Sequence, residues 1–467
     1  MKLANTLKSV AILLLFASLA SAQNCQCETC SNPLGQRGPE RQRFWDGLRA
    51  SITPAGLRIE PSSEPGPSNL GLTQMVFLDF ESGVDGTIGY TPAIRDEIQA
   101  SLEVIFEDFS VVFVQSNPGG MFSTIVFNAG GPGGGVAEDI DFRNLNPSDN
   151  AVLNVSGIGL EEADDIVSVS SLVAAHELGH LLGLRHGDMF GPIGEGVIPG
   201  FGPFYTPVFT GPMNSSEQEN HVMITGAFGI PFSAFFGPNW LSERSSVKLT
   251  IAEGMPTTAD IENNDTNASA QVVEFNNVTV PNTIVEGQNA GNFDFSVSAF
   301  VIEGSLDGAT DPQDVFQIEA KAGDLFNLEL LSTVPDRLAP NSIDPNLSVF
   351  DSTGAFVDYF GSDAFNESEL KSPDSIMIDL VIPADGTYFV EVDSFFGDST
   401  GVYELLVYRF NGVQGDVNCD GTVDLLDVSP FVDALANGST TPKADINNDG
   451  SVDLLDVLPF INLLNSI

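Results

Sequence analysis

His176, Glu177, His180 and His186 fall within one short stretch of a chain that has only 4 His in 467 residues. A spacing of four puts His176 and His180 on one face of a helix, where both imidazoles can share a metal ion. Glu177 stands beside the first of them, within reach of a water on that ion. Gly183 can adopt a backbone conformation closed to other residues, which ends the helix and swings the chain back. His186 then arrives as a third nitrogen ligand. Three protein ligands leave a fourth position for water, the layout of a catalytic zinc site, whereas a structural site is closed by four. Zinc lowers the pKa of such a water from 15.7 toward about 7. Glu177 is then the candidate general base for that water's proton. Asp188, just past the third histidine, is either an acceptor that orients the site or a solvated loop acid.

A second kind of chemistry lies near the C-terminus. Asp416, Asn418, Asp420, Thr422, Asp424 and Asp427 occupy positions 1, 3, 5, 7, 9 and 12 of a loop with Gly421 at position 6. The pattern recurs 29 residues later as Asp445, Asn447, Asp449, Ser451, Asp453 and Asp456, with Gly450 at the turn. This is the oxygen-ligand spacing of an EF-hand-type loop for Ca²⁺, with Thr422 and Ser451 contributing backbone carbonyls. Asp replaces the usual Glu at position 12 in both copies. Leu425-Leu426 and Leu454-Leu455 follow position 9 in the two loops, as core or as a surface for attachment.

The elements that must position these residues divide the chain into segments. Residues 71–254 alternate strand-like and helix-like patterns. A strand is expected over Thr73 to Phe80, and a helix over Pro92 to Phe109 with Ile94, Ile98, Leu102, Ile105 and Phe106 inward. Further strands are expected at Val111 to Val114 and Phe122 to Phe127, then a glycine-rich turn from Gly130 to Gly135, and a second helix from about Ser170 to Leu184. Residues 260–411 read as all-β, because short alternating runs such as Asp314 to Ile318, Leu325 to Leu330 and Tyr388 to Val392 are separated by turn residues. Residues 412–467 hold the calcium-loop repeat and its helix-like tails. The fold class is therefore multidomain: an α+β metal-binding domain, an all-β sandwich and a small α repeat pair.

Composition bounds the partners. The 64 acidic against 17 basic residues give a net charge of −47, which argues against nucleic acid, since a phosphate backbone needs a Lys/Arg surface. Residues 1–22 read as a secretory signal, with Lys2 and Lys8, the apolar run Val10 to Leu19 and the small-residue site Ala20-Ser21-Ala22. The full apolar run, Val10 to Ala20 at about 11 residues, is too short for a membrane span. Residues 23–70 read as a linker or short pro-segment. Cys25, Cys27, Cys30 and Cys419 are too few and too clustered for a disulfide framework in so long a chain. A secreted or cell-surface protein is expected.

The histidine stretch resembles the metzincin clan of zinc endopeptidases, whose pattern His-Glu-x-x-His-x-x-Gly-x-x-His it matches at every specified position. That resemblance implies peptide-bond hydrolysis of protein or peptide substrates. It also implies a methionine turn beneath the metal, for which Met223 is the candidate and Met213 the runner-up. Some metzincins carry a metal-ligating Tyr two residues after that Met; here the position is Thr225. His221 lies in the same segment, as a turn residue or close enough to assist. Glu262-Asn263-Asn264-Asp265-Thr266, Asp314-Val315-Phe316 and Gly386 to Val392 resemble the bacterial pre-peptidase C-terminal domain, which implies a non-catalytic sandwich that binds substrate or serves as a spacer. The paired loops resemble a dockerin, which implies a cohesin-like or cell-surface partner. The competing expectation is a non-catalytic extracellular binding or assembly protein that works through its tail.

Overall fold

The computed structural model describes residues 73–129, 134–138, 140–160, 162–189, 221–223, 236, 239–281, 295–308, 310–331, 343, 345–357, 365–369, 372–394, 400–410, 414–417, 423–437, 443–444, 446–447 and 452–464. The expected signal and pro-segment, all four cysteines, Met213, Thr225 and the loop residues Asn418, Asp420, Thr422, Asp445, Asp449 and Ser451 lie outside them.

The first segment is a five-stranded sheet covered by helices. Its strands are β1 (Gln74–Asp79), β2 (Val111–Val114), β3 (Ser123–Val126), β4 (Gly134–Ala137) and β5 (Asn150–Asn154), in the order β2-β1-β3-β5-β4. All neighbours are parallel except β4, which runs antiparallel to β5 at the edge. Among the described residues three helices accompany this sheet: α1 (Pro92–Ile105), α2 (Ala163–Leu181) and α3 (Glu243–Gly254). Thr91 caps α1 and Pro92 opens it, as its fixed φ favours. One core gathers Val76 and Leu78 of β1, Ile125 of β3, Leu153 of β5, Ile98 and Leu102 of α1, and Leu172 and Leu178 of α2.

Two expectations need correction here. Helix α2 begins at Ala163, well before Ser170. It is buried on nearly all sides, so its N-terminal half lacks the polar stripe that marks a surface helix. The glycine-rich stretch is not all turn, because Gly134 and Gly135 already belong to β4.

The second segment is a sandwich of two sheets. It comprises β6 (Thr257–Ala259), β7 (Gln271–Val272), β8 (Asn276–Val280), β9 (Phe295–Asp307), β10 (Gln313–Ala320), β11 (Leu325–Leu331), β12 (Pro345–Asp351), β13 (Phe365–Glu369), β14 (Ser372–Val381), β15 (Gly386–Ser394) and β16 (Thr400–Phe410). The small sheet has the order β12-β15-β10-β7; the large one runs β13-β14-β11-β16-β9-β6, with β8 also on β9. Phe316, Ile318, Val390 and Val392 of the small sheet pack on Phe326, Leu328, Leu405 and Val407 of the large one.

The outer face of the large sheet is not wet. Val297, Ala299, Val301, Leu406 and Tyr408 form a further core with Val247, Ile251 and Met255 at and just beyond α3, and with Phe142. β11 alternates apolar and polar side chains, yet every residue of the strand, Asn327 and Glu329 included, is buried. The polar face of β11 is turned toward the first segment.

The third segment is a pair of short helices, α4 (Val428–Asn437) and α5 (Val457–Leu464), each following one acidic loop. Phe431 and Phe460 stack at 4.0 Å between them, in a small core with Ala434, Ala444 and Val452. Among the described residues no helix is long and apolar enough to cross a membrane.

Candidate metal centre

Helix α2 and the turn behind it bring the three histidines together. The four-residue spacing puts His176 and His180 on one face of α2, with their rings 4.9 Å apart. The helix then ends on a glycine. Gly183 has φ +92°, its N–H donates to the His180 carbonyl at 2.8 Å, and the Leu184 N–H donates to the Gly179 carbonyl at 2.8 Å. This paired closure requires a left-handed residue, which glycine adopts without steric cost. A β-carbon on Gly183 would also run into the Phe142 backbone. The reversal delivers His186, whose ring lies 5.1 Å from that of His176 and 4.9 Å from that of His180.

One ligand atom from each of His176, His180 and His186 lies within 4.8 Å of the others. His176 Nε2 and His186 Nε2 are 3.2 Å apart. His176 Nδ1 is 3.0 Å from the Val222 carbonyl, and His180 Nδ1 is 2.8 Å from the Leu184 carbonyl. A carbonyl can only accept, so both Nδ1 atoms carry the proton and the Nε2 lone pairs face the cluster. Burial pushes the His176 imidazolium down to about 3, reinforced by His186, and His186 itself down to about 4. His180 is held well below the ordinary histidine range, first by burial and then by its two neighbours. Three neutral imidazoles with converging lone pairs are a donor set that fits a divalent transition metal.

Glu177 is buried beside this cluster, under the edge strand. The Ala137 backbone N–H of β4 donates to its carboxylate, and a β-carbon on Gly135 would collide with that same carboxylate. Burial pushes the Glu177 carboxyl up to about 8, against the lowering effect of the Ala137 N–H. The glycine in β4 therefore serves a second purpose, letting the strand approach the acid.

Met223 lies beneath α2. A β-carbon on Gly179 would stand 2.6 Å from its Sδ, so the thioether fills the space between the turns that carry His176 and His180. The neighbouring Val222 carbonyl holds His176, and the Val222 N–H donates to Trp240 at 2.8 Å. His221 is buried, pairs by backbone with Trp240 and is outside the three-histidine cluster.

Asp188 is not a solvated loop acid. Its Oδ2 accepts from the Arg185 backbone N–H at 2.6 Å and from Lys248 Nζ at 2.9 Å. Lys248 also reaches Glu329 Oε2 at 3.0 Å, and Arg185 Nε reaches the same oxygen at 3.2 Å. Beside this group Arg244 bonds Asp379 Oδ2 at 2.5 Å and Asn327 Oδ1 at 2.7 Å. Arg143 bridges Glu303 at 2.7 Å and Glu404 at 2.5 Å. Sequence reasoning missed all of these ties. The available signal was slight: Lys248 alone stands between apolar residues, Val247 and Leu249, where a buried cation calls for a partner.

The sandwich carries an acidic cluster that was also missed. Asp314 is buried, accepts from the Tyr403 hydroxyl at 2.6 Å and lies beside Asp260, with Asp311 close by. Burial pushes the Asp314 carboxyl up to about 8, against the Tyr403 bond and with help from Asp260 and Asp311.

In the C-terminal segment the described loop residues repeat one geometry. Asp427 Oδ2 accepts from the Asp424 N–H at 2.8 Å, and Asp456 Oδ2 accepts from the Asp453 N–H at 2.9 Å. Asp416, Asp427 and Asp456 are fully buried. Leu425 and Leu454 are 80% and 82% exposed, so the leucine pairs are surface and not core.

Residues 414–465 match the Dockerin type I domain. No curated protein matches the chain. Among solved structures, the pre-peptidase C-terminal domain of collagenase from Bacillus anthracis is similar at 19% identity and a TM-score of 0.17, covering 23% of this chain and 86% of that one. PliG from Aeromonas hydrophila, a periplasmic inhibitor of g-type lysozyme, is similar at 18% identity and a TM-score of 0.16, covering 24% and 85%.

Proposed function

We propose that this protein is a secreted zinc-dependent endopeptidase carrying a calcium-binding docking module. The observation that carries the reading is the convergence of His176, His180 and His186 within 4.8 Å, with buried Glu177 next to the first of them. His176, His180 and His186 would hold the ion through Nε2. When bound, zinc supplies a Lewis acid that acidifies a water and polarises a carbonyl.

The chain's own residues supply the proton handling. Burial raises the Glu177 carboxyl in the metal-free protein, and a divalent cation held by the neighbouring histidines would favour the ionised form that acts as a base. Glu177 accepts a proton at a carboxylate oxygen and returns it to the departing amine. The Ala137 N–H and the tight approach of Gly135 hold that carboxylate against strand β4. Met223 gives the site an apolar floor. Strand β4 ends the sheet order among the described strands, and an extended peptide can add to such an edge beside Glu177.

Replacement of Glu177 by Gln keeps the shape and removes the base. Hydrolysis of an unstructured protein substrate is expected to fall by about 10²–10⁴-fold while bound zinc, measured by elemental analysis, stays at the wild-type level. Wild-type protein that holds zinc but cleaves nothing in a chelator-sensitive manner would leave a binding protein in place of an enzyme.

The match to a Dockerin type I domain favours a second activity in the tail. The paired acidic loops suit two Ca²⁺ ions, and the exposed leucine pairs suit a cohesin-like or cell-surface partner. The signal-like N-terminus and the dockerin match both support an extracellular setting.

A further inference from the structure

The turn that carries His186 is braced from outside its own segment. Arg185 and Asp188 bracket the histidine in sequence, and both belong to a buried quartet with Lys248 of α3 and Glu329 of β11. The quartet is electroneutral, with two cations and two carboxylates, all at most 3% exposed. Asp188 alone cannot balance Arg185 and Lys248. Glu329 is the second anion, and one of its oxygens receives a bond from each cation.

The four residues are not equally free to move. Glu329 sits in mid-strand, with β11 hydrogen-bonded between β14 and β16 and Glu329 opposite Ile376 and Leu406. Lys248 is fixed within α3, whose Val247 and Ile251 are packed in the core under the large sheet. Residues 186–189 form only a single short turn, held by the Asp188 N–H to the Arg185 carbonyl at 3.0 Å and by the Asp188 side chain. Of the parts that meet here, this turn has the least regular backbone pairing. An excess buried cation would therefore be relieved by displacing the turn, and His186 with it.

We propose that Glu329 of the β-sandwich is a positioning residue for His186, so that the sandwich completes the metal centre as well as accompanying it. The proposal rests on the zinc reading of the three histidines. Groups that hold ligands from behind typically contribute 10–100-fold to metal affinity, and Glu329 would act at one remove, through Arg185 and through Lys248 with Asp188.

The test uses the full-length chain stripped of metal, with zinc affinity measured by competition against a chromophoric chelator. The visible absorption of the Co²⁺-loaded protein reports ligand geometry independently of catalysis. Glu329→Gln is expected to weaken zinc binding about 10-fold or more and to alter the Co²⁺ bands. Asp379→Asn breaks the adjacent buried pair with Arg244, whose bonds to Asp379 and Asn327 lie outside the quartet. It is expected to lower the melting temperature while leaving affinity and bands at wild-type values. Arg185→Lys keeps every charge but loses the planar fork, and a smaller change of the same kind is expected; it decides the matter if Glu329→Gln does not fold. Wild-type affinity and bands in Glu329→Gln, or in Arg185→Lys when it must decide, would overturn the proposal. An equal loss in Asp379→Asn would do so too, by showing a general effect of weakening the interface. Wild-type protein that binds neither metal would overturn the zinc reading together with this one, whereas normal wild-type binding with an indifferent Glu329→Gln removes this one alone.

Discussion

Buried carboxyls in this molecule are of two kinds. Asp188, Glu329 and Asp379 face cations at 2.5–3.2 Å, whereas Glu177 and Asp314 have no such partner among the described residues and are pushed up to about 8, chiefly by burial. The second kind makes stability depend on pH. Asp314 has an ordinary value of 3.8 in the unfolded chain and about 8 when folded, so between those limits the folded state binds more protons. Its contribution is fully present below about pH 4 and is lost as pH rises through 8. Asp314→Asn, measured in chelator to keep divalent cations out, should therefore gain melting temperature relative to wild type as pH goes from 4 to 8. A relative gain of at least about 2 °C is expected from a change near 1 kcal/mol; a difference that stays flat with pH would show that Asp314 is ionised throughout. The histidine pattern was legible residue by residue because a helix turns a four-residue spacing into adjacency. The partners of Asp188 were not, because Lys248 and Glu329 lie far along the chain and only packing brings them near.

At the level of elements, the decisive feature is how α2 stops. Its last turn carries His180, and the left-handed Gly183 sends the chain to His186. Alanine at 183 would cost about 1–2 kcal/mol for the left-handed backbone alone, and its β-carbon would also meet Phe142. Gly183→Ala should lower the melting temperature and weaken zinc binding together, as scanning calorimetry and chelator competition would register. Loss of stability with zinc affinity intact would show that His186 does not depend on this reversal. Where α2 ends was readable, since glycine after a histidine-bearing helix is a stop signal with a mechanism. Where it begins was not, because Ile166 to Val169 are already buried and so carry no polar stripe. Strand β4 was hidden for a related reason: Gly135, which read as part of a turn, is the residue that lets the strand lie against Glu177.

For the molecule as a whole, the first two segments share cores as well as ion pairs. Ile376 and Ile378 of β14 belong to the core around α1 and α2, and Val247 and Ile251 of α3 belong to the core under the large sheet. Shared burial of this kind makes unfolding cooperative. Calorimetry should show one transition for residues 73–410 and a separate one for the C-terminal pair. Chelating calcium should lower only the second transition, because the buried acids of the loops then lose the charge that balances them. A single merged transition, or a calcium effect on both, would contradict that division.

Spacing along the chain was enough to place three imidazoles and an acid on one helix and turn, and to mark two calcium-type loops, since helix pitch and loop geometry are local properties. The same local reading of β11 gave no partner for its polar residues. Only the folded molecule shows that Asn327 and Glu329 meet Arg244, Arg185 and Lys248. Alternation along a strand records which side chains are apolar, not what covers the other face. That covering comes from an element distant in sequence, and charge pairing across it arises only once both surfaces have been brought together.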